Sequence, residues 1–199
     1  MCISDILKEV MNEYIKSDLY RYGRLSGIKG ILKGRFIPGF RYMYFFRKAQ
    51  RTKYKLVKLY YRLRLRLYSI KYGFQIPYNT KIGYGFYIGH CGRIIINPKT
   101  IIGNNCNIAT GVTIGQTNRG KKKGTPVISD NVWIGTGAIL VGKIHIGKNV
   151  LIAPNSFVNI DIPDNSLVIG NPARVIFKEN ATDGYINNVY VEKEENSSY

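Results

Sequence analysis

A six-residue beat runs through the middle of this chain and constrains its fold more than any other feature. Every sixth residue from Ile76 gives Ile82 and Ile88, then Ile96, Ile102, Ile108 and Ile114. After a gap it resumes with Ile128, Ile134, Leu140, Ile146, Ile152 and Val158. A glycine follows the apolar position at Gly83, Gly89, Gly103, Gly115, Gly135 and Gly147. Four residues after that position stands a small or β-branched residue, as at Thr80, Thr100, Cys106, Val112, Val132, Ala138, Val150 and Ser156. A fixed short period held over about a hundred residues marks a solenoid. Each hexad makes one short strand and a tight turn, and three hexads close one triangular coil. The apolar residue of each coil then stacks on its counterpart in the next. The expected fold is mainly β, a parallel β-helix of about five coils over residues 74–177.

The flanks obey other rules. Residues 1–73 read as a helical, basic N-terminal region. "SDILKEVMNEYI" carries a capping Ser4 and apolar residues at helical spacing, Pro38 and Gly39 mark a break, and 40–70 reads as helix again. Residues 178–199 read as a polar, acidic tail, flexible or loosely packed on the coils. The formal net charge is +18, and no Asp or Glu lies between Asp18 and Asp130. Basic residues among Tyr, Phe and Leu over 29–66 form a field for anions: phosphates, nucleic acid or an anionic membrane surface. No apolar run is long enough to span a bilayer, and no signal peptide is recognisable. The three cysteines, Cys2, Cys91 and Cys106, have neither disulfide nor metal spacing, which suits a reducing cytosol. No cluster of His, Cys and Asp points to a metal.

The beat stumbles once near its start. Ile88 to Ile96 is eight residues where six are expected, and the extra two fall in "GHCGRII". An insertion in a regular ladder forces a bulge and turns a side chain outward, and Gly89 and Gly92 supply the backbone freedom. His90, one of only two histidines, stands at that point. Imidazole is the side chain whose ordinary titration range suits taking a proton from a hydroxyl near neutral pH. The other histidine, His145, reads as a corner residue, and Trp133 as an outward or interfacial aromatic.

The repeat, the His-Gly segment "IGHCGRIII" and the closing "GNPARV" resemble the left-handed parallel β-helix (hexapeptide-repeat) acyltransferases, in particular their serine acetyltransferase-like branch. The resemblance covers about residues 75–177. It implies a left-handed coil, a homotrimer with active sites between neighbouring β-helices, acetyl-CoA as co-substrate, and His90 as general base. It also implies coenzyme contacts at Gly115, Thr117, Gly135, Thr136, Ala153, Pro154 and Arg174. Where the branch carries an Asp fifteen residues before the histidine, this chain has Gln75. Gln75 and Asp18 are therefore the candidates to orient His90 or bind the acceptor. Where the serine enzymes carry Arg-His-Pro, this chain has Gly124, Thr125 and Pro126, beside Lys121, Lys122 and Lys123.

The expected function is acetyl-CoA-dependent O-acetyl transfer to a hydroxyl. The missing Asp and Arg-His features point to a sugar of a surface polysaccharide or its precursor, and the basic front end to cytoplasmic work peripheral to the inner membrane face. The alternatives are serine O-acetylation for cysteine synthesis and a non-catalytic scaffold that binds a polyanion through residues 29–66. Nucleic acid is not an expected partner.

Overall fold

The computed structural model describes residues 12–191. The Ser4 cap, the apolar residues before Asn12, Cys2 and the last eight residues lie outside this range.

Fourteen of the fifteen strands build the coils in rotation. The first sheet has the order β1 (Phe74–Gln75), β4 (Ile94–Ile96), β7 (Thr113–Gly115), β10 (Ile139–Val141), β13 (Phe157–Val158). The second stacks β2 (Lys81–Ile82), β5 (Ile101–Ile102), β8 (Val127–Ile128) and β11 (His145–Ile146). The third stacks β3 (Tyr87–Ile88), β6 (Asn107–Ile108), β9 (Val132–Ile134), β12 (Val150–Ile152) and β14 (Ser166–Ile169), with β15 (Arg174–Phe177) antiparallel on β14. The result is the expected left-handed parallel β-helix of about five coils. His145 belongs to strand β11, so its reading as a corner residue is corrected.

The hexad residues are the rungs. Ile82 pairs with Ile102, which pairs with Ile128 and then Ile146. Ile88, Ile108, Ile134 and Ile152 form a second inward stack, and Ile96, Ile114, Leu140 and Val158 a third. All are buried, as are the small residues four positions later. Turning a corner needs a left-handed residue, and Asn105, Asn131, Asn149, Asn155 and Asn165 supply it with φ between 52° and 57°. Asparagine tolerates that region because its short amide bonds locally.

A parallel coil leaves a free edge at its first turn, with unpaired N–H and C=O groups. The helices α1 (Glu13–Tyr20), α2 (Gly27–Gly34), α3 (Pro38–Arg51) and α4 (Lys55–Tyr72) cap that edge. Tyr42 Oη donates to Ile76 O at 2.9 Å, and Arg47 donates from Nη1 to Ile82 O at 2.7 Å and from Nη2 to Gly83 O at 2.6 Å. Gly85 N donates to Ser17 Oγ at 3.0 Å and Phe86 N to Asp18 Oδ1 at 2.8 Å. Tyr22 Oη accepts from Ile88 N at 3.2 Å and donates to Ile88 O at 3.1 Å, standing in for a missing strand. The helix expected over 40–70 is two helices, broken at Thr52–Tyr54. The reason is burial: α3 is enclosed between the first coil and α4, so the chain must fold back to cover it. Among the described residues, no helix is long and apolar enough to cross a membrane.

The tail departs from expectation. Its described part, to residue 191, is a strap along the outer face of the third sheet, tied mainly by its backbone. Asn149 Oδ1 accepts from Thr182 Oγ1 at 2.7 Å, Asn107 Nδ2 donates to Tyr185 O at 3.1 Å, and Arg21 Nε donates to Asn187 O at 3.0 Å. Asn105 Nδ2 donates to Tyr190 O at 3.0 Å and its Oδ1 accepts from Tyr190 N at 3.0 Å.

Candidate active site

The two extra residues after Ile88 form the corner between the third and first sheets. Gly92 N donates to Tyr72 O at 3.0 Å and Ile94 N to Gly73 O at 3.1 Å, so the chain rejoins the ladder at β4. Gly92 has φ 138°, and a Cβ there would lie 1.9 Å from Thr110 Oγ1. His90 is left on the outside of this corner, exposed, and no described side chain bonds its ring.

His90 opens onto a cleft of about 600 Å³ whose walls come from three parts of the chain. The helical end contributes Arg21 to Gly23 and Ile37, the coils contribute Tyr87, Asn107 and Trp133, and the strap contributes Tyr185, Asn187 and Asn188. Aromatic faces and amides dominate it. Trp133 and Tyr185 meet edge to face at 4.9 Å between centroids, and Tyr22 and Tyr87 lie 4.6 Å apart. Arg21 is buried, and desolvation pulls its guanidinium below the usual arginine range. It donates to Gly85 O and Asn107 Oδ1, both at 2.6 Å, and has no carboxylate partner among the described residues. Among the described residues, no Asp or Glu lines the cleft. Arg21, Asn107, Tyr185, Asn187 and Asn188 escaped the sequence reading, because nothing in the hexad marks an outward amide or a strap.

Asp18 is elsewhere. Arg47 donates to both its oxygens, at 2.8 and 3.2 Å, and the Phe86 N–H occupies it as well. Burial pushes its carboxyl up from the usual 3.8, while Arg47 and that N–H pull it down. The reading of Asp18 as an orienting or acceptor-binding group is corrected: its carboxylate is 1% exposed, holds Arg47 and the Phe86 N–H, and does not line the His90 cleft. Gln75, exposed on β1, lines a different cleft of about 860 Å³ with Arg62, Arg66 and Gly115, and has no bond to His90.

The coenzyme candidates fall into two groups. Below His90, the same corner edge carries Gly135 and Thr136, then Ala153 and Pro154, and ends where Arg174 pairs with Ile169. Gly137 N donates to Thr110 O at 3.0 Å and Asn155 N to Thr136 O at 2.9 Å, which keeps these corners in one column. With strands about 4.8 Å apart, Thr136 stands about 10 Å below His90 and Pro154 about 14 Å. Thr136, Pro154 and Arg174 are exposed, so the column suits an extended pantetheine arm with the basic side chain at its far end. Gly135 itself has a packing reason: a Cβ would lie 2.7 Å from Ile152 O and 2.8 Å from the Trp133 ring. Gly115 and Thr117 form the second group, at the opposite corner of the first sheet. There residues 116–126 fold into a hairpin, with Thr117 N donating to Gly124 O and Gly124 N to Thr117 O, each at 3.0 Å. One chain therefore does not bring the two groups together. Among the described residues, no group of His, Cys, Asp and Glu could hold a metal ion.

Residues 125–159 match the bacterial transferase hexapeptide (six repeats) family. The serine acetyltransferase of Synechococcus elongatus is 34% identical over 141 residues, 71% of this chain and 58% of that protein. That of Bacillus subtilis is 39% identical over 104 residues, 52% of this chain and 48% of its own. The chain thus spans about half the length of the curated relatives it matches. Among solved structures, the serine acetyltransferase of Brucella abortus in complex with coenzyme A superposes with a TM-score of 0.71 at 25% identity, over 87% of this chain and 72% of that one. The soybean apoenzyme gives 0.68 at 26% identity, over 82% and 67%. By its repeat, its fold and its relatives, the chain is similar to the hexapeptide-repeat acyltransferases, most of all to their serine acetyltransferase-like branch.

Proposed function

We propose that the chain is an acetyl-CoA-dependent O-acetyltransferase with His90 as general base. The observation that carries this reading is the placement of His90, exposed at the head of the corner column and at the mouth of the aromatic cleft. Acetyl-CoA supplies the activated acetyl group. His90 takes the acceptor hydroxyl's proton as that oxygen bonds to the acetyl carbon, and returns it to the departing thiolate. Backbone N–H groups of the corner stabilise the developing oxyanion. The corner column of one chain and the 116–126 hairpin of its neighbour complete the coenzyme cleft in a homotrimer, which accounts for the two separated groups of candidates.

L-Serine is the acceptor that the relatives' names support, in preference to the polysaccharide sugar expected from sequence. The Arg21 guanidinium, which lines the cleft with no carboxylate partner among the described residues, suits its carboxylate. A glycan hydroxyl is the second reading, favoured by the cleft itself: aromatic faces and amides suit a sugar ring, and among the described residues no carboxylate lines it to hold serine's ammonium.

The test is a mass-spectrometric assay of acetyl transfer to L-serine, nucleotide sugars and oligosaccharides, with coenzyme A release measured in parallel. With whichever acceptor works, His90→Ala should lose about 100-fold or more in kcat. Full activity in that variant would remove His90 from the mechanism.

A further inference from the structure

Helix α4 has two apolar faces, and the coils need only one. Tyr61, Leu65, Tyr68 and Tyr72 turn toward α3 and the core. At about 100° per residue, Leu56, Leu59, Tyr60, Leu63, Leu67 and Ile70 fall on a second stripe, on the opposite side of the helix. All six are exposed, Leu56 at 83%. Such a contiguous outward stripe marks an interaction surface.

What borders the stripe selects its partner. Arg62 and Arg66 run along one side and Arg64 and Lys71 along the other, and no carboxylate occurs from residue 19 to 129. The end of α2 adjoins the same region, since Arg35 and Arg64 both stack on the Phe45 ring, at 5.9 and 5.6 Å. That places the basic α2 end and Phe36, 81% exposed, beside α4. A second α4 would set basic flank against basic flank. An anionic lipid surface matches both features: the leucines enter the acyl boundary and the cations meet headgroup phosphates.

We propose that α4, with Phe36, is an in-plane docking helix for an anionic membrane surface. This stands independently of the acetyl-transfer reading. The full chain should co-sediment with phosphatidylcholine vesicles containing phosphatidylglycerol, and not with phosphatidylcholine vesicles alone. The double variant Leu63→Glu, Leu67→Glu replaces exposed residues and should lower vesicle partitioning about tenfold or more, with its thermal midpoint and oligomer size unchanged. Three results would overturn the proposal: no binding to the anionic vesicles, binding indifferent to the double variant, or a smaller oligomer in that variant. The last would mean that a second copy covers the stripe.

Discussion

Arg47 donates from Nε to Asp18 Oδ2 at 2.8 Å with both side chains 1% exposed, and these two residues seal the open end of the β-helix. Breaking a buried pair by removing one charge costs about 3–5 kcal/mol. Asp18→Asn keeps the shape and strands the guanidinium, so its thermal midpoint should fall by about 10 °C. Adding Arg47→Met should restore part of that loss, since no uncompensated charge then remains. A single variant as stable as the parent would show that the cap does not depend on the pair.

Gly39 sets how closely α3 approaches the strand that leads into His90. A Cβ there would lie 2.1 Å from Ile88 O and 2.6 Å from Tyr22 Oη. Gly39→Ala must push the helix away from β3 and disturb the Tyr22–Ile88 bonds. Overpacking of this kind costs about 1–3 kcal/mol. Acetyl transfer should drop in the protein that remains folded, because Gly89 and His90 follow Ile88 directly. Unfolding midpoint and kcat measured on the same preparation would check both effects.

Alkali should weaken the fold through groups buried neutral. Desolvation pushes the Cys106 thiol from its usual 9.0 up to about 12, and raises the Tyr22 and Tyr42 hydroxyls above their usual 10.0. The unfolded chain releases these protons first. The stabilisation is therefore complete below pH 9.0 and shrinks as pH climbs toward the folded-state value of about 12. Each group costs about 1.4 kcal/mol per pH unit above its unfolded value. Cys106→Val, which installs the residue found at equivalent positions 112, 132 and 150, should flatten the alkaline decline without harming stability at neutral pH. An unchanged pH profile in that variant would exclude Cys106 as a contributor.

What the sequence disclosed follows from what each contact demands of residue type. Inward stacks such as Ile88, Ile108, Ile134 and Ile152 need the same apolar shape at every level, so the coil is written as a period. The two-residue stumble before Ile96 likewise marked the His90 corner. Asp18 carried no such mark: its partner lies in another helix, and an acid ahead of a basic stretch looks the same whether it caps a coil or binds a ligand. The strap was invisible for a different reason. It contributes mainly carbonyl oxygens, at Tyr185, Asn187 and Tyr190, and any residue can offer a carbonyl. Its receptors, Asn105, Asn107 and Asn149, carry no mark in the hexad pattern that would single them out.

The strap supplies the last prediction. It forms one wall of the His90 cleft through Tyr185, Asn187 and Asn188, yet it lies away from the column of Thr136 and Pro154. Ending the chain after Lys178 removes that wall and leaves every inward stack intact. The asparagines that lose their partners face outward and can bond water instead, so the coils should stay folded. The two substrates should then respond differently: the acceptor KM should rise about tenfold, while the KM for acetyl-CoA changes little. Tyr185→Ala should reproduce part of the effect by removing only the ring against Trp133. Equal changes in both KM values would mean that the strap acts on the whole fold and not on the acceptor wall.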